Sequence, residues 1–294
     1  MTAPVIPDVP SQGAQAGVPT PVSREGITPL PAEAAEEVDS IPTTDGGFVR
    51  VAAVGDIHLG TDCSGLLRPA FSVLPECADL LLLAGDLTRH GTVEEAEVVA
   101  REVAGIGVPV VAVLGNHDYH AGEEKAVAAA LSAAGVTVLE GEAAMVPVAG
   151  HTVGVAGTKG FCGGFVGRCA GEFGEPEMKA FVRTTRRSAD GLNTALGELA
   201  DADCAVRIAL THFAPVPDTL AGEPLEIYPF LGSYLLAEAI DSSGADLAVH
   251  GHAHHGTEHG MTVGGVRVRN VAQPVIDRAF ALYRLPLGEN GRRG

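Results

Sequence analysis

Apolar residues in this chain gather into short runs that stop at a polar side chain, in four of five cases next to a glycine. VRVAAVGD ends on Asp56, LLLLAGD on Asp86, PVVAVLGNHD on Asp118, VRIALTH on His212 and DLAVHGHAH on His254. Apolar runs of four to eight residues bounded by turn formers read as buried strands. The stretches between them carry helical spacing. SGLLRPAFSVLPECA (64–78) and TVEEAEVVAREVAGI (92–106) are the first two, and the second opens on a Thr92 cap with Glu94 and Glu95 in its first turn. Further helices are expected over about 121–134, 175–199 and 231–241. VTVLEG, AAMVPVAG and HTVGVAGT read as short strands, and GVRVRNVA and FALYRLP as two late ones. Alternating strands and helices predict βαβ units and an α/β fold with a parallel sheet.

Composition agrees with layered packing. Hydrophobic residues make up 46%, aromatics only 4%, and Trp is absent, so Ala, Val, Leu and Ile must fill the core. Residues 1–47 lack periodicity and hold seven acids against Arg24 alone, which reads as a disordered acidic tail before a domain over 48–288. A net charge of −18 argues against general nucleic-acid binding and against attraction to anionic membranes. Five cysteines without a CxxC pair, no basic and apolar leader, and no apolar run of about 18 residues fit a cytoplasmic protein.

The polar ends of the runs hold the candidate chemistry. They are Asp56-Ile57-His58, Gly85-Asp86, Gly115-Asn116-His117-Asp118, His212 and Gly251-His252-Ala253-His254. Ligands of open α/β sheets bind beyond the carboxyl ends of strands. Residues 56 and 58, like 252 and 254, are two apart, and in extended backbone such side chains leave on one side. Imidazole and carboxylate donors without thiolates suit Mn, Fe, Zn or Ni. Two carboxylates and two divalent ions leave a site of about +2, a phosphate trap in an acidic protein. Two such ions can make hydroxide at neutral pH and clamp the charge of an in-line displacement. His117 suits proton transfer or hydrogen bonding to a phosphoryl oxygen, with Asp118 fixing its orientation.

The ordered series DxH, GD, GNHD, H, GHxH, running from Asp56 to His254, resembles the calcineurin-like metallophosphoesterase superfamily, its compact bacterial phosphodiesterases in particular. The resemblance implies a four-layer α/β/β/α sandwich with two mixed sheets flanked by helices. It implies that Asp56, His58 and His254 hold one metal, that Asn116, His212 and His252 hold the other, that Asp86 bridges them, and that His117 is catalytic. Many relatives carry GDxxD, whereas Arg89 stands here three residues after Asp86. The implied activity is hydrolysis of a small phosphorylated molecule, a phosphodiester such as a cyclic nucleotide being favoured. Phosphomonoester or nucleotide pyrophosphate hydrolysis is the alternative, and a non-catalytic scaffold that keeps the fold is the reading from another class.

Three residues outside the motif are substrate candidates. Arg89 could meet a phosphate, Lys159 opens a Gly-rich loop, and Tyr228 follows the His212 loop and could stack on a base. Residues 159–187 hold six bases against three acids, which marks 159–200 as a lid or recognition insert.

Overall fold

The computed structural model describes residues 47–148 and 150–287. The acidic segment read over 1–47 lies, apart from Gly47, outside the described residues, as does the domain edge at 288. The apolar runs are strands: β1 Phe48–Val54, β2 Leu80–Ala84, β3 Val110–Val113, β4 Val136–Val138, β5 Glu142–Val148 and β6 His151–Thr158. A hairpin of β7 Gly164–Phe165 and β8 Arg168–Cys169 follows. The rest are β9 Val206–Thr211, β10 Leu247–His250, β11 His259–Met261, β12 Arg267–Asn270 and β13 Ala281–Pro286.

They form two mixed sheets, ordered β13-β1-β2-β3-β4 and β11-β12-β10-β9-β6-β5. In the first, β1 to β4 are parallel and β13 closes the edge antiparallel. In the second, β6, β9, β10 and β12 are parallel, with antiparallel strands at both edges. Strand alternation sorts the side chains into layers. Val155, Ile208, Leu210 and Val249 of the second sheet share one buried cluster with Leu82 and Val111 of the first. Ala156, Ala209 and Ala248 face the other way and meet Leu192 and Leu196 of the helix Pro176–Asp201, and Leu236 and Ile240 of the helix Tyr234–Ser243. The helices Val93–Val103 and Glu124–Ala133 add Val99, Val103, Val127 and Leu131 to the first cluster. The architecture is the α/β/β/α sandwich. Thr92 caps its helix as expected, accepting from the Glu95 N–H at 3.3 Å. Among the described residues no helix is long and apolar enough to cross a membrane.

One expectation needs correction. The helix read over 64–78 is two turns, Arg68–Phe71 and Leu74–Cys77, each with a proline in its first positions. Pro75 lacks an N–H and its ring clashes with the preceding turn, so one continuous helix cannot pass through it. The segment 159–200, read as a lid or recognition insert, runs from a loop and the β7–β8 hairpin into the helix Pro176–Asp201. Its helix buries Val182, Ala189, Leu192, Leu196 and Leu199 and is a structural layer of the sandwich. Two bases of the island, Arg183 and Arg186, reach Glu172 at 3.5 and 2.6 Å and tie the preceding loop to that helix.

Candidate metal centre

The parallel strands β1, β2 and β3 of one sheet and β9 and β10 of the other end on the same edge. The loops that follow are stitched together through the backbone. Asp56 N donates to Gly85 O at 2.9 Å, His58 N to Asp86 O at 3.0 Å, and Gly251 N to His212 O at 3.2 Å. His212 spans the two sheets, its Nδ1 donating to the Ala84 carbonyl at 2.9 Å. Three groups of ligand-type side chains result: Asp56, His58 and His254; His58, Asp86 and His117; and Asp86, His212 and His252. His58 and Asp86 each belong to two groups, so the three are one continuous centre.

The backbone there is strained. Among the described residues only Asp56, His58, Asp86, His252 and Asp277 have positive φ without being glycine, and four of the five are motif residues. Such conformations cost of order 1–3 kcal/mol each and persist where the surroundings impose them. They also revise the spacing argument. Asp56 and His58 are not in extended backbone, and the left-handed turn at His252 (φ 71°) sends its side chain to Asp86 and His212 while His254 joins Asp56. The pair 252/254 is therefore divided between two groups. Two glycines make room: a Cβ at Gly115 would clash with Asp86 Oδ1, and one at Gly251 with Asp56 Oδ2.

Lone pairs converge in this space. Both nitrogens of His58 are buried without a hydrogen-bond partner, and burial pushes its pKa down to about 3, so the ring is neutral. Burial likewise holds His212 well below the usual range. Its proton sits on Nδ1, facing Ala84 O, so unprotonated Nε2 confronts Asn116 Oδ1 at 2.9 Å and Asp86 Oδ1 at 3.4 Å. The other Asp86 oxygen lies 3.8 Å from His58 Nε2. Asp86 therefore presents one oxygen to each side. Burial, followed by the charges of Asp56 and Asp118, raises its pKa well above the usual carboxylate value. Burial also opposes ionisation of Asp56, but the hydrogen bond and charge of His254 outweigh it and hold this carboxyl low. Acceptors packed this closely repel one another unless cations lie between them, and a buried polar atom with no partner is costly. The donor set fits divalent ions.

His117 stands above the centre, its ring 4.5 Å from that of His58 and its main-chain N–H on Asp86 Oδ1 at 2.7 Å. Its orientation comes from Arg89, whose carbonyl accepts from Nδ1 at 2.9 Å, which leaves Nε2 as the reactive nitrogen. Asp118 does not hold it. That carboxylate is fully buried and accepts from Leu87 N, Thr88 N, Thr88 Oγ1 and Gly115 N at 3.2, 2.8, 2.6 and 2.7 Å. It clamps the Asp86 loop to the Asn116 loop and is a positioning residue. Asp118→Ala leaves three buried N–H groups unpaired, so a loss of ~3 kcal/mol or more is expected, seen as a melting temperature lower by roughly 10 °C.

The three outlying candidates are placed differently. The Arg89 guanidinium is held by Asp62 at 3.1 Å and donates to Cys63 Sγ at 3.3 Å, close enough to oppose protonation of His58. Lys159 Nζ lies 4.9, 5.3 and 5.2 Å from the ring centres of Tyr119, Phe161 and Phe213, and burial lowers its pKa. Tyr228 is not a free stacking platform. Its hydroxyl donates to Leu220 O at 2.8 Å and its ring packs against the buried group around Phe165 and Leu231. Sequence reading missed Phe213, whose ring lies 4.3 Å from that of His252, although its place next to His212 was a usable signal. Thr88 and the carbonyls of Ala84 and Arg89 were missed as well, because a main-chain acceptor leaves no mark in a sequence.

Two packed mixed sheets with carboxylates and imidazoles at adjoining strand ends define a metal-dependent phosphoester hydrolase. The chain belongs to the calcineurin-like phosphoesterases, whose family model matches residues 49–256, and this family uses a dimetal centre. Solved structures with the same fold include phosphopantetheinyl hydrolase (PptH) from Mycobacterium tuberculosis, at 16% identity and a TM-score of 0.55, covering 85% of this chain and 100% of that one. A Thermus thermophilus protein is similar at 18% identity and a TM-score of 0.51, covering 76% of this chain and 89% of that one. A putative 5'-nucleotidase from Staphylococcus aureus matches at 14% identity and a TM-score of 0.50, covering 84% and 56%. No curated protein sequence matches the chain.

Proposed function

We propose that the protein hydrolyses a small phosphodiester, in the cytoplasm, at a centre of two divalent cations. Asp56, His58 and His254 would hold one ion and Asn116, His212 and His252 the other, with Asp86 between them. The observation that carries this reading is the convergence on one buried space of the two unpartnered His58 nitrogens with His212 Nε2, Asn116 Oδ1 and the Asp86 carboxylate. When bound, the ions supply Lewis acidity for drawing in the phosphoryl group and for hydroxide at neutral pH. The protein's own residues do the rest. His117, with Nδ1 committed to Arg89 O, offers Nε2 to a phosphoryl oxygen or to the departing alkoxide. Charge favours the anion locally: two carboxylates against two divalent ions leave about +2 in a chain of net charge −18. Lys159, caged by three rings, adds a fixed cation close by.

A diester is favoured over a monoester by the GNHD and GHxH strings, which resemble those of compact bacterial phosphodiesterases. The test is metal analysis followed by a hydrolysis panel: a chromogenic diester, its monoester, cyclic nucleotides and nucleotide diphosphate derivatives. Turnover of diesters above the rest is expected, and a clear preference for the monoester contradicts the diesterase reading.

A further inference from the structure

Beside the metal centre lies a pocket of about 730 Å³, open to solvent and built from the β7–β8 hairpin, the start of the helix Pro176–Asp201 and the segment around Pro229. Its lining is apolar, with Met178, Phe181, Pro229 and Phe230 as the large residues and Arg168 as the one charged residue. Two sets of contacts lead from its wall to the metal centre. The carbonyl of Phe230 lies 3.4 Å from His252 Nε2. A file of rings runs from Phe181 through Phe161 and Phe213 to His252, with centre-to-centre distances of 5.2, 6.1 and 4.3 Å. The hairpin is fixed to the same segment, since Gly163 N donates to Pro229 O at 2.9 Å and Gly164 N to Gly232 O at 2.9 Å.

The surface around this pocket is unusual for the protein. Ten large apolar residues are exposed among the described residues, and six of them (Val166, Phe173, Met178, Leu225, Ile227 and Phe230) lie in the two segments that border the pocket. Clustered exposure of this kind marks a binding surface, whereas scattered apolar residues need no explanation. Ligand pockets are typically of this size and apolar, with a few polar groups that fix orientation. Adjacency to the metal centre points to the occupant, because Phe230 lines the pocket while its carbonyl touches His252, so an ester whose phosphate lies between His252 and His117 has this pocket next to it.

We infer that the pocket receives the apolar alcohol portion of the phosphoester, so that the substrate is an amphiphile with an alkyl or aryl group beside its phosphate. This rests on the hydrolase reading and narrows it. The phosphate goes to the metal centre, the apolar group lies along Phe230 and Met178, and Arg168 stands at the rim near any further anionic group.

The experiment uses the metal-loaded full chain and p-nitrophenyl alkyl phosphodiesters with methyl, butyl and octyl groups. Calorimetric titration with ethyl phosphate and octyl phosphate provides a binding readout independent of turnover. Each buried methylene is worth about three- to four-fold, so kcat/KM and affinity are expected to climb by orders of magnitude from the shortest to the longest chain. Phe230→Glu should collapse the octyl-to-methyl ratio at least tenfold. Met178→Glu, on an exposed helical position, should do the same and guards against misfolding of the first variant. Hydrolysis and binding that ignore chain length overturn the pocket assignment and leave the hydrolase reading intact. Chain-length-dependent binding without hydrolysis of any ester overturns the hydrolase reading and leaves the pocket as an apolar ligand site.

Discussion

Replacing Asp86 by Asn is expected to lower kcat/KM by ~10³-fold or more while making the metal-free protein more stable. The first effect follows from position. Asp86 is the carboxylate that turns one oxygen to His58 and the other to His212, and so the group common to both halves of the centre. Losing a shared anionic ligand weakens both sites and removes several kcal/mol of charge stabilisation in the transition state, each 1.36 kcal/mol being tenfold in rate. The second effect follows from the same burial. Without cations, Asp86 is a buried acid beside Asp56 and Asp118, and its pKa stands well above the usual value. An amide of equal size removes that penalty, so a melting temperature a few degrees higher is expected, corresponding to about 1 kcal/mol. The pH dependence has a defined sign. A carboxyl whose folded pKa is raised binds more protons in the native state than in the unfolded one. Stability of the metal-free protein therefore falls as pH rises from the ordinary value of 3.8 towards the raised one. Asp86→Asn should flatten that fall. Thermal melts of both proteins in chelator between pH 4 and 8 check it.

His117→Ala is expected to lower kcat by 10²- to 10⁴-fold with metal content unchanged. Its Nδ1 is occupied by Arg89 O, so only Nε2 remains for substrate, and the ring packs edge-on against His58. Loss of activity without loss of metal separates a proton-handling residue from a ligand. A drop in metal content to one equivalent would instead make His117 a ligand, which its proximity to His58 and Asp86 also permits. The same assay separates it from Asp118, whose removal should show first in thermal stability.

How much of this was legible in the sequence depends on the kind of feature. The strands were legible because buried strands read as apolar runs, and their polar ends marked the edge where ligands converge. The α/β/β/α layering came with the family resemblance. The boundaries that failed had local causes, as at Pro75, where one ring divides an apparent helix. At the site, residue types carried the seven ligand candidates, but backbone conformation was hidden. Asp56, His58 and His252 reach their places through left-handed turns, which an argument from extended spacing cannot anticipate. Asp118 looked like a partner for its neighbour and is instead bound by four donors, three of them from the Asp86 loop. Tyr228 looked available and spends its hydroxyl on Leu220 O. In each case the decisive partner is a main-chain group or a residue distant in sequence.

The most direct test of the account is the number of metal ions bound at this edge of the sheets. Protein stripped with chelator, reloaded with Mn, Fe, Zn or Ni and freed of excess should hold two equivalents per chain by elemental analysis. His58→Ala and His212→Ala should each hold one. A wild-type content at or below one, or two equivalents kept in both variants, contradicts a dimetal centre built on these residues.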